Sequence, residues 1–251
     1  MADAKRGRVR IEDSGKRVRA YLGGKLIADT AHPKLVWEVP YYPAYYLPAS
    51  DVRMELLTPT GRTEHSPSRG EAHYFTVKGG QEERIDAAWQ YPDSPLEELR
   101  DHVRFEWTAM DAWFEEDVEV FIHSRDPYSR VDVLPSSRHV QVTVGGVTVA
   151  DTHHPTLLFE TGLPPRFYIP KVDVRMDLLT PTDQHTGCPY KGIARYWSVA
   201  TGETTHPNLV WSYPTPLPES EGIAGLLSFY NEHADITVDG ELQPRPKTKF
   251  S

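Results

Sequence analysis

The chain contains one module twice, and this duplication constrains its fold more than any other feature of the sequence. The segment DVRMELLTPT at residues 51–60 recurs as DVRMDLLTPT at residues 173–182, an offset of 122 residues. The same offset relates Gly23-Gly24 to Gly145-Gly146. Each copy is long enough to close a hydrophobic core of its own, which a single solenoid repeat is not. The repeat therefore predicts two homologous domains.

The domain boundaries follow from where the matched residues begin and end. We expect an N-terminal domain at residues 8–128 and a C-terminal domain at residues 129–245, meeting at a turn-prone stretch with almost no linker. Because so short a linker leaves little freedom between them, we expect the domains to pack as a pseudo-dimer within a monomeric protein. We expect the tail from Gln243 to be loose.

Proline and glycine content favours a mainly β fold. The chain has 22 prolines and 17 glycines, spread without a period, which is typical of short extended segments separated by turns. Gly23-Gly24 lies between two short apolar runs, the pattern of a two-residue β-hairpin, and Gly145-Gly146 repeats it. The predicted fold is two compact β domains, each with one short helix.

The predicted elements also place the repeated arginines. Alternating polar and apolar residues in Asp51–Leu56 and Asp173–Leu178 predict half-buried strands, with Arg53 and Arg175 at their centres. One helix and one closing strand are predicted per copy, at 96–103 and 118–122 in the first and at 222–230 and 236–238 in the second. Residues 107–116 have no recognisable counterpart in the second copy, so we expect an insertion that covers the other domain.

Charge and cysteine content exclude several classes of protein. The 27 basic and 36 acidic residues give a net charge of −9, which provides no attraction to nucleic acid or to an anionic membrane. Cys188 is the one cysteine, so an intrachain disulfide and a four-cysteine zinc site are excluded. The polar N-terminus is followed by no apolar run of leader or membrane-spanning length. We expect a soluble, cytoplasmic protein with no nucleic-acid or membrane partner.

The second copy contains the most distinctive motifs. CPYKG at residues 188–192 is followed by ARYW at 194–197 and WSYP at 211–214, downstream of Val174-Arg175. With these motifs the chain resembles a tandem protein of the DUF427 family, a domain of unknown function, over nearly its whole length. The first copy departs from the pattern: it reads SPSRG at residues 66–70, without the cysteine and the tyrosine.

The resemblance implies a compact fold similar to the β-tent architecture. Some relatives with that architecture bind zinc through cysteines, which a chain with one cysteine cannot do. A provisional nucleotidyltransferase label is also attached to the family. That activity needs a Gly-Ser segment followed by an Asp-x-Asp pair to hold Mg²⁺, and the sequence contains none.

Equivalent cations and aromatic residues in the two copies predict a ligand site. A cation beside aromatic rings can hold a carboxylate or phosphate while the rings cover a planar body. The candidate ligand-binding residues are Arg53 and Arg69 in the first copy and Tyr168, Arg175, Cys188, Tyr190, Lys191, Tyr196 and Trp211 in the second. The alternative is structural: the arginines pair with Glu38 or Glu160 to fasten strands, and Trp89 and Trp211 are core residues.

Cys188 is the candidate nucleophile, because Lys191 and His185 are within three residues and can activate a thiolate. The alternative is a small buried hydrophobe in a turn. A metal site built from His185, Cys188 and His206 lacks the tight ligand spacing of known sites, so we predict neither a metal nor another cofactor.

Three functions are compatible with these residues. The favoured one is binding of a small anionic or planar metabolite in a basic, aromatic-lined cleft. The second is a thiol-dependent enzyme that uses Cys188 in the C-terminal domain only. The third is a protein-interaction scaffold, which an exposed apolar patch around Trp107 and Trp113 would favour.

Overall fold

The computed structural model describes residues 9–248 and 251, and the chain divides into two units between Asp126 and Pro127. Residues 1–8, where the absence of a leader was predicted, lie outside the described residues. The strands of unit 1 are β1 (Arg10–Asp13), β2 (Val18–Leu22), β3 (Lys25–Thr30), β4 (Lys34–Val39), β5 (Tyr42–Pro48), β6 (Leu57–Ser66), β7 (Gly70–Gly79), β8 (Glu82–Gln90), β9 (His102–Phe105), β10 (Ala112–Glu115) and β11 (Val118–Glu119).

Unit 2 repeats this order of strands. They are β12 (Val131–Pro135), β13 (Val140–Val144), β14 (Val147–Thr152), β15 (Thr156–Glu160), β16 (Arg166–Ile169), β17 (Leu179–Cys188), β18 (Gly192–Thr201), β19 (Thr204–Ser212), β20 (Leu227–Phe229), β21 (Asp235–Val238) and β22 (Glu241–Leu242). The helices of the described residues are short 3-10 turns, at Ala49–Asp51, Met54–Leu56, Glu97–Leu99, Trp107–Ala109, Lys171–Asp173, Met176–Leu178 and Pro218–Ile223.

Each unit consists of two antiparallel sheets. The strand order of unit 1 is β1-β4-β5-β9-β8-β7-β6 in a seven-stranded sheet and β11-β10-β2-β3 in a four-stranded sheet. Unit 2 has the equivalent orders β12-β15-β16-β20-β19-β18-β17 and β14-β13-β21-β22. The prediction of two homologous, mainly β domains is therefore confirmed.

The glycine pairs form the predicted hairpins. Gly23 and Gly24 join β2 to β3 with φ values of 54° and 71°, and Gly145 and Gly146 have φ values of 56° and 81°. Positive φ at both central residues is the geometry of a type I′ turn, which matches the twist of the two strands and favours glycine.

Alternation along the strands divides each unit into an inner and an outer apolar layer. In unit 1, Leu35, Tyr45 and Leu47 pack with the four-stranded sheet, whereas their neighbours Val36 and Tyr46 belong to a second cluster that includes Tyr91 and Leu99. We call the side of the seven-stranded sheet that bears this second cluster the outer face. The outer face is partly buried, and it is where the candidate site lies.

The predicted strands around Arg53 and Arg175 are wrong. In unit 1 two consecutive 3-10 turns, Ala49–Asp51 and Met54–Leu56, flank a single bridge residue, Val52, and the strand begins only at Leu57. The turns bury alternate residues much as a strand does, which explains the misleading pattern of period two.

The predicted helices are shorter than expected. In the first copy, Glu97–Leu99 is a single 3-10 turn and the chain becomes a strand again at His102. In the second copy the 3-10 turns end at Ile223, and Leu227–Phe229 is a strand. Strand β9 lies inside the seven-stranded sheet between β5 and β8, and β20 lies in the same way between β16 and β19.

The predicted insertion at residues 107–116 is also wrong. Strand β10 pairs with β2 in the same register in which β21 pairs with β13, so that Glu115 lies opposite Val18 and Val238 opposite Val140. β10 therefore corresponds to β21 at an offset of 123 residues. Trp113 is buried in the core of its own unit and stacks on Trp107 at 4.9 Å, so these rings form no exposed apolar patch.

The described part of the C-terminal tail is held against unit 2, contrary to expectation. The Gln243 amide donates to the Ile236 carbonyl at 2.8 Å, Arg245 pairs with Asp235, and the Thr248 hydroxyl donates to Glu232 at 2.6 Å. Among the residues that the structure describes, no helix has the length and apolar character needed to cross a membrane.

Candidate functional site

An ion pair at equivalent positions marks the outer face of both units. In unit 1 the Arg69 Nε lies 3.8 Å from a carboxylate oxygen of Glu38. In unit 2 the Lys191 ammonium donates to Glu160, which is at the position equivalent to Glu38. The cation therefore comes from the loop before the glycine, not from Arg53 or Arg175 as the structural alternative supposed.

Turn geometry places these cations over the sheet. The Lys191 amide donates to the Cys188 carbonyl at 3.3 Å, and the Arg69 amide donates to the Ser66 carbonyl at the same distance. The glycine that follows has a φ of 91° in unit 1 and 95° in unit 2. This backbone conformation favours glycine, and it returns the chain into strand β7 or β18 immediately after the cation.

Glu38 is the centre of the polar group in unit 1. It accepts a hydrogen bond from the Tyr46 hydroxyl at 2.6 Å, and Arg104 lies 3.3 Å from its other carboxylate oxygen. Burial lowers the pKa of Arg69, but the Glu38 carboxylate and nearby tyrosines more than offset this, so the pKa is raised. Burial and Glu38 together raise the pKa of Tyr46. One carboxylate is thus shared by two guanidinium groups.

A cavity of about 570 Å³ opens on the outer face of unit 1 beside this group. Its polar lining includes Glu38, Glu64 and Arg69, and its rings include Tyr74, Trp89 and Tyr91. Burial and the hydrogen bond to Glu64 raise the pKa of Tyr74 to about 12, so this hydroxyl stays protonated at neutral pH. The lining of the cavity thus combines aromatic rings with one arginine, Arg69, and two carboxylates that are paired with neighbouring arginines.

Trp89 has an unused hydrogen-bond donor at this cavity. Its indole Nε1 is buried and has no partner among the described residues, while the Arg104 guanidinium lies 4.3 Å from the centre of its ring. In unit 2 the corresponding Nε1 of Trp211 donates to the Tyr168 hydroxyl at 3.0 Å. Buried donors without partners are uncommon, so this atom is a candidate contact for a ligand.

The outer face of unit 2 is filled by side chains. Tyr230 lies 4.6 Å from Trp211 between ring centres, and its hydroxyl is 3.4 Å from that of Tyr196. Cys188 packs against the same cluster. Within this cluster Trp211 is only 7% exposed, whereas the equivalent Trp89 is half-buried. The cavity that we describe is therefore in the copy whose motif is degenerate, contrary to the emphasis that the sequence placed on the second copy.

The two units place an arginine over the equivalent tryptophan from different strands. In unit 1 it is Arg104 on β9; in unit 2 it is Arg166 on β16, which lies 5.5 Å from the Trp211 ring. Arg166 forms a bidentate pair with Glu232, with both distances 2.7 Å, and the two side chains are 7% and 0% exposed. Sequence reasoning missed this pair because neither residue belongs to a repeated motif.

Arg53 and Arg175 do not belong to the outer-face site. Arg175 is 57% exposed and pairs with Asp177 at 2.6 Å, and its backbone amide donates to Val149 on the four-stranded sheet. Arg53 is also exposed, with its amide bonded to Ile27 on the equivalent sheet. Both arginines lie beside the four-stranded sheet because the 3-10 turns, rather than a strand, carry them.

The remaining candidates of the second copy make contacts within their own unit. Cys188 is half-buried at the end of β17, and Tyr190 is half-buried in the following turn, where its carbonyl accepts from Ser220 at 3.2 Å. Burial raises the pKa of Tyr168. His185 contacts Arg195, and His206 lies 3.2 Å from the Thr201 hydroxyl. No three metal-ligating side chains of the described residues are close enough to hold an ion.

Fold and site define a class: two duplicated domains, each a seven-stranded sheet packed on a four-stranded sheet, with polar and aromatic residues on the outer face. Residues 10–116 and 132–240 both match the domain of unknown function DUF427. The chain belongs to the DUF427 family and carries two copies of its domain. No curated protein matches the chain.

Proposed function

We propose that the protein binds a small planar metabolite in the outer-face cavity of unit 1. The observation that carries the proposal is that one cavity of about 570 Å³ combines the rings of Trp37, Tyr74, Trp89 and Tyr91 with one arginine and two carboxylates. Ligand pockets of small molecules typically have this volume and combine apolar walls with a few polar groups that fix orientation.

The polar groups of the cavity determine which hydrogen-bonding groups the edge of the ligand must carry. Glu38 and Glu64 accept hydrogen bonds, while Arg69 and the unpartnered Nε1 of Trp89 donate them. A planar ring with adjacent N–H donors and an oxygen or nitrogen acceptor satisfies both sets. The ligand need not be anionic, because Arg69 and Arg104 share Glu38, and Arg62 pairs with Glu64 at 3.0 Å.

The duplication supplies a matched control for the test. The full-length protein would be titrated with a panel of nitrogen heterocycles that carry an amide or amidine edge, and binding followed by calorimetry. We expect Glu38→Gln and Trp89→Phe to weaken the best binder about tenfold each, the value of one hydrogen bond to a charged group. Glu160→Gln, the equivalent change in unit 2, should leave the affinity within about twofold.

Two results would contradict the proposal. One is that no compound of the panel binds the unaltered protein. The other is that Glu160→Gln weakens binding as much as Glu38→Gln does, because the ligand would then not distinguish the open cavity of unit 1 from the filled face of unit 2.

A further inference from the structure

A second cleft, in unit 2, is lined by basic and neutral side chains. It has a volume of about 560 Å³ and lies between strand β19, the end of β20 and the C-terminal tail. Its side chains that can carry positive charge are His206, His233 and Arg245. None of the described residues that line it is an aspartate or a glutamate, although the chain has a net charge of −9.

The neutral lining adds further donors. Gln184 and Asn208 contribute amide groups and Thr205 a hydroxyl, while Leu209 and Pro207 provide apolar wall. Amides, hydroxyls and imidazoles are all able to donate to an oxyanion, and a guanidinium does so with two parallel N–H groups. None of the side chains that line the cleft is a carboxylate, although Asp235 pairs with Arg245 beside it, so these donors can hold the oxyanion of a ligand.

The tail fixes the position of the arginine. The Nε and Nη2 of Arg245 donate to one oxygen of Asp235 at 3.0 and 2.8 Å, so Nη1 is outside that pair. On either side of Arg245 the tail is held by the Gln243 amide and the Thr248 hydroxyl. The anchored tail therefore presents the guanidinium at the cleft instead of leaving it on a mobile chain end.

Unit 1 lacks this arrangement. The Val120 amide donates to the Trp113 carbonyl as the Gln243 amide donates to the Ile236 carbonyl, which makes Ile122 the residue equivalent to Arg245. Ile122 is apolar and 55% exposed. Among the described residues of unit 1, the position of Arg245 therefore carries no cation, and the cleft shares no lining residue with the outer-face cavity of unit 1.

We propose that this cleft is a binding site for a small metabolite that bears a phosphate or carboxylate group. The oxyanion contacts Arg245, His206 and His233, and the remaining volume accommodates an organic body beside Tyr230 and Leu209. Its volume is large enough for a ligand of metabolite size rather than a bare inorganic ion.

The test uses the full-length protein and two probes, inorganic phosphate and phenyl phosphate, with binding measured by calorimetry and by amide chemical shifts. We expect phenyl phosphate to bind and Arg245→Gln to weaken it about tenfold, as expected for one lost charge-assisted hydrogen bond. Arg138→Gln is a matched control, because Arg138 is also 51% exposed and pairs with Asp239 at 2.8 Å in the same unit. This control should change the affinity less than twofold.

Three outcomes would overturn the inference: no binding of either probe, equal weakening by Arg138→Gln, or chemical-shift changes confined to residues away from β19 and the tail. A variant of the unit 1 cavity, Glu38→Gln, separates the two proposals. It should leave phosphate binding unchanged while it weakens the planar ligand of unit 1.

Discussion

The buried pair of Arg166 and Glu232 allows the sharpest prediction. Their side chains are 7% and 0% exposed and share two hydrogen bonds of 2.7 Å, so Arg166→Ala leaves a carboxylate buried without its counter-charge. Removing one partner of a buried pair costs about 3–5 kcal/mol. A unit of roughly this size loses about 3–5 °C per kcal/mol, so its unfolding midpoint should fall by roughly 10–20 °C.

Differential scanning calorimetry of the full-length protein is the measurement, with the transition of unit 2 assigned by a variant that destabilises only unit 1. The comparison variant is Arg104→Ala, whose guanidinium lies over the equivalent tryptophan but whose partner, Glu38, is 17% exposed. Because this pair is more solvated, Arg104→Ala should lower the unfolding midpoint of unit 1 by less than Arg166→Ala lowers that of unit 2. If Arg166→Ala lowered the midpoint of unit 2 by less than about 3 °C, the pair would be energetically a surface pair and our reasoning would be refuted.

The same pair predicts an acid limit for unit 2. Burial alone would raise the pKa of Glu232, but hydrogen bonds from Arg166 and Thr248 outweigh it, and the pKa is lowered. A carboxyl whose pKa is lower in the folded state stabilises fully above its ordinary pKa of about 4.3. That stability is lost as the pH falls through the lowered value. Urea unfolding between pH 5 and pH 3 should show the loss, and Glu232→Gln should reduce its slope.

Three further predictions concern unit 1. Burial lowers the pKa of His102, and the charge of Lys34 lowers it further. The free energy of unfolding should therefore decrease as the pH falls below about 6.5. In urea titrations, His102→Gln should remove this pH dependence. Glu115→Val removes the acceptor of the buried Tyr45 hydroxyl, 2.5 Å away, and should cost about 1–3 kcal/mol by denaturant unfolding. Gly79→Ala places a Cβ 2.1 Å from the Leu22 carbonyl oxygen and should lower the thermal midpoint by an amount corresponding to about 1–3 kcal/mol.

Unit 2 contains the natural controls for two of these changes. Phe167 and Val238 occupy the positions of Tyr45 and Glu115, so Tyr45→Phe added to Glu115→Val should recover part of the lost stability. Thr201 occupies the position of Gly79, and its side chain lies beside Gly145 of the neighbouring hairpin. No recovery in the first case, or an unaffected Gly79→Ala, would contradict the packing that we describe.

Much of the fold was predictable because the sequence states it twice. The glycine pairs with positive φ and the repeated motif established two β-rich domains and their hairpins. The position of β10 was not predictable, because the offset between the copies changes from 122 to 124 at β9 and β20 and then to 123 at β10 and β21. The alternation around Arg53 was misleading, because consecutive 3-10 turns bury residues with the same period as a strand.

The site was predictable in part. The cation-glycine turn and the aromatic residues lie on the outer face, and Glu38 and Glu160 were named as partners, although for other arginines. The sequence did not reveal which copy has the cavity on its outer face. That depends on Tyr230, which follows a short strand outside every motif and covers Trp211 only once the chain is folded.

The arginines over Trp89 and Trp211 also limit which strands of one unit can replace their homologues in the other unit. When the two copies are aligned, Ala44 is equivalent to Arg166 and Arg104 is equivalent to Ser228. Neither strand therefore shares its arginine with the homologous strand. A chimaera that receives β16 in place of β5 would carry two guanidinium groups at one indole, and one that receives β20 in place of β9 would carry none. Only the joint transfer of both neighbouring strands keeps a single guanidinium group at the tryptophan. The two strands can therefore be exchanged between the copies only as a pair.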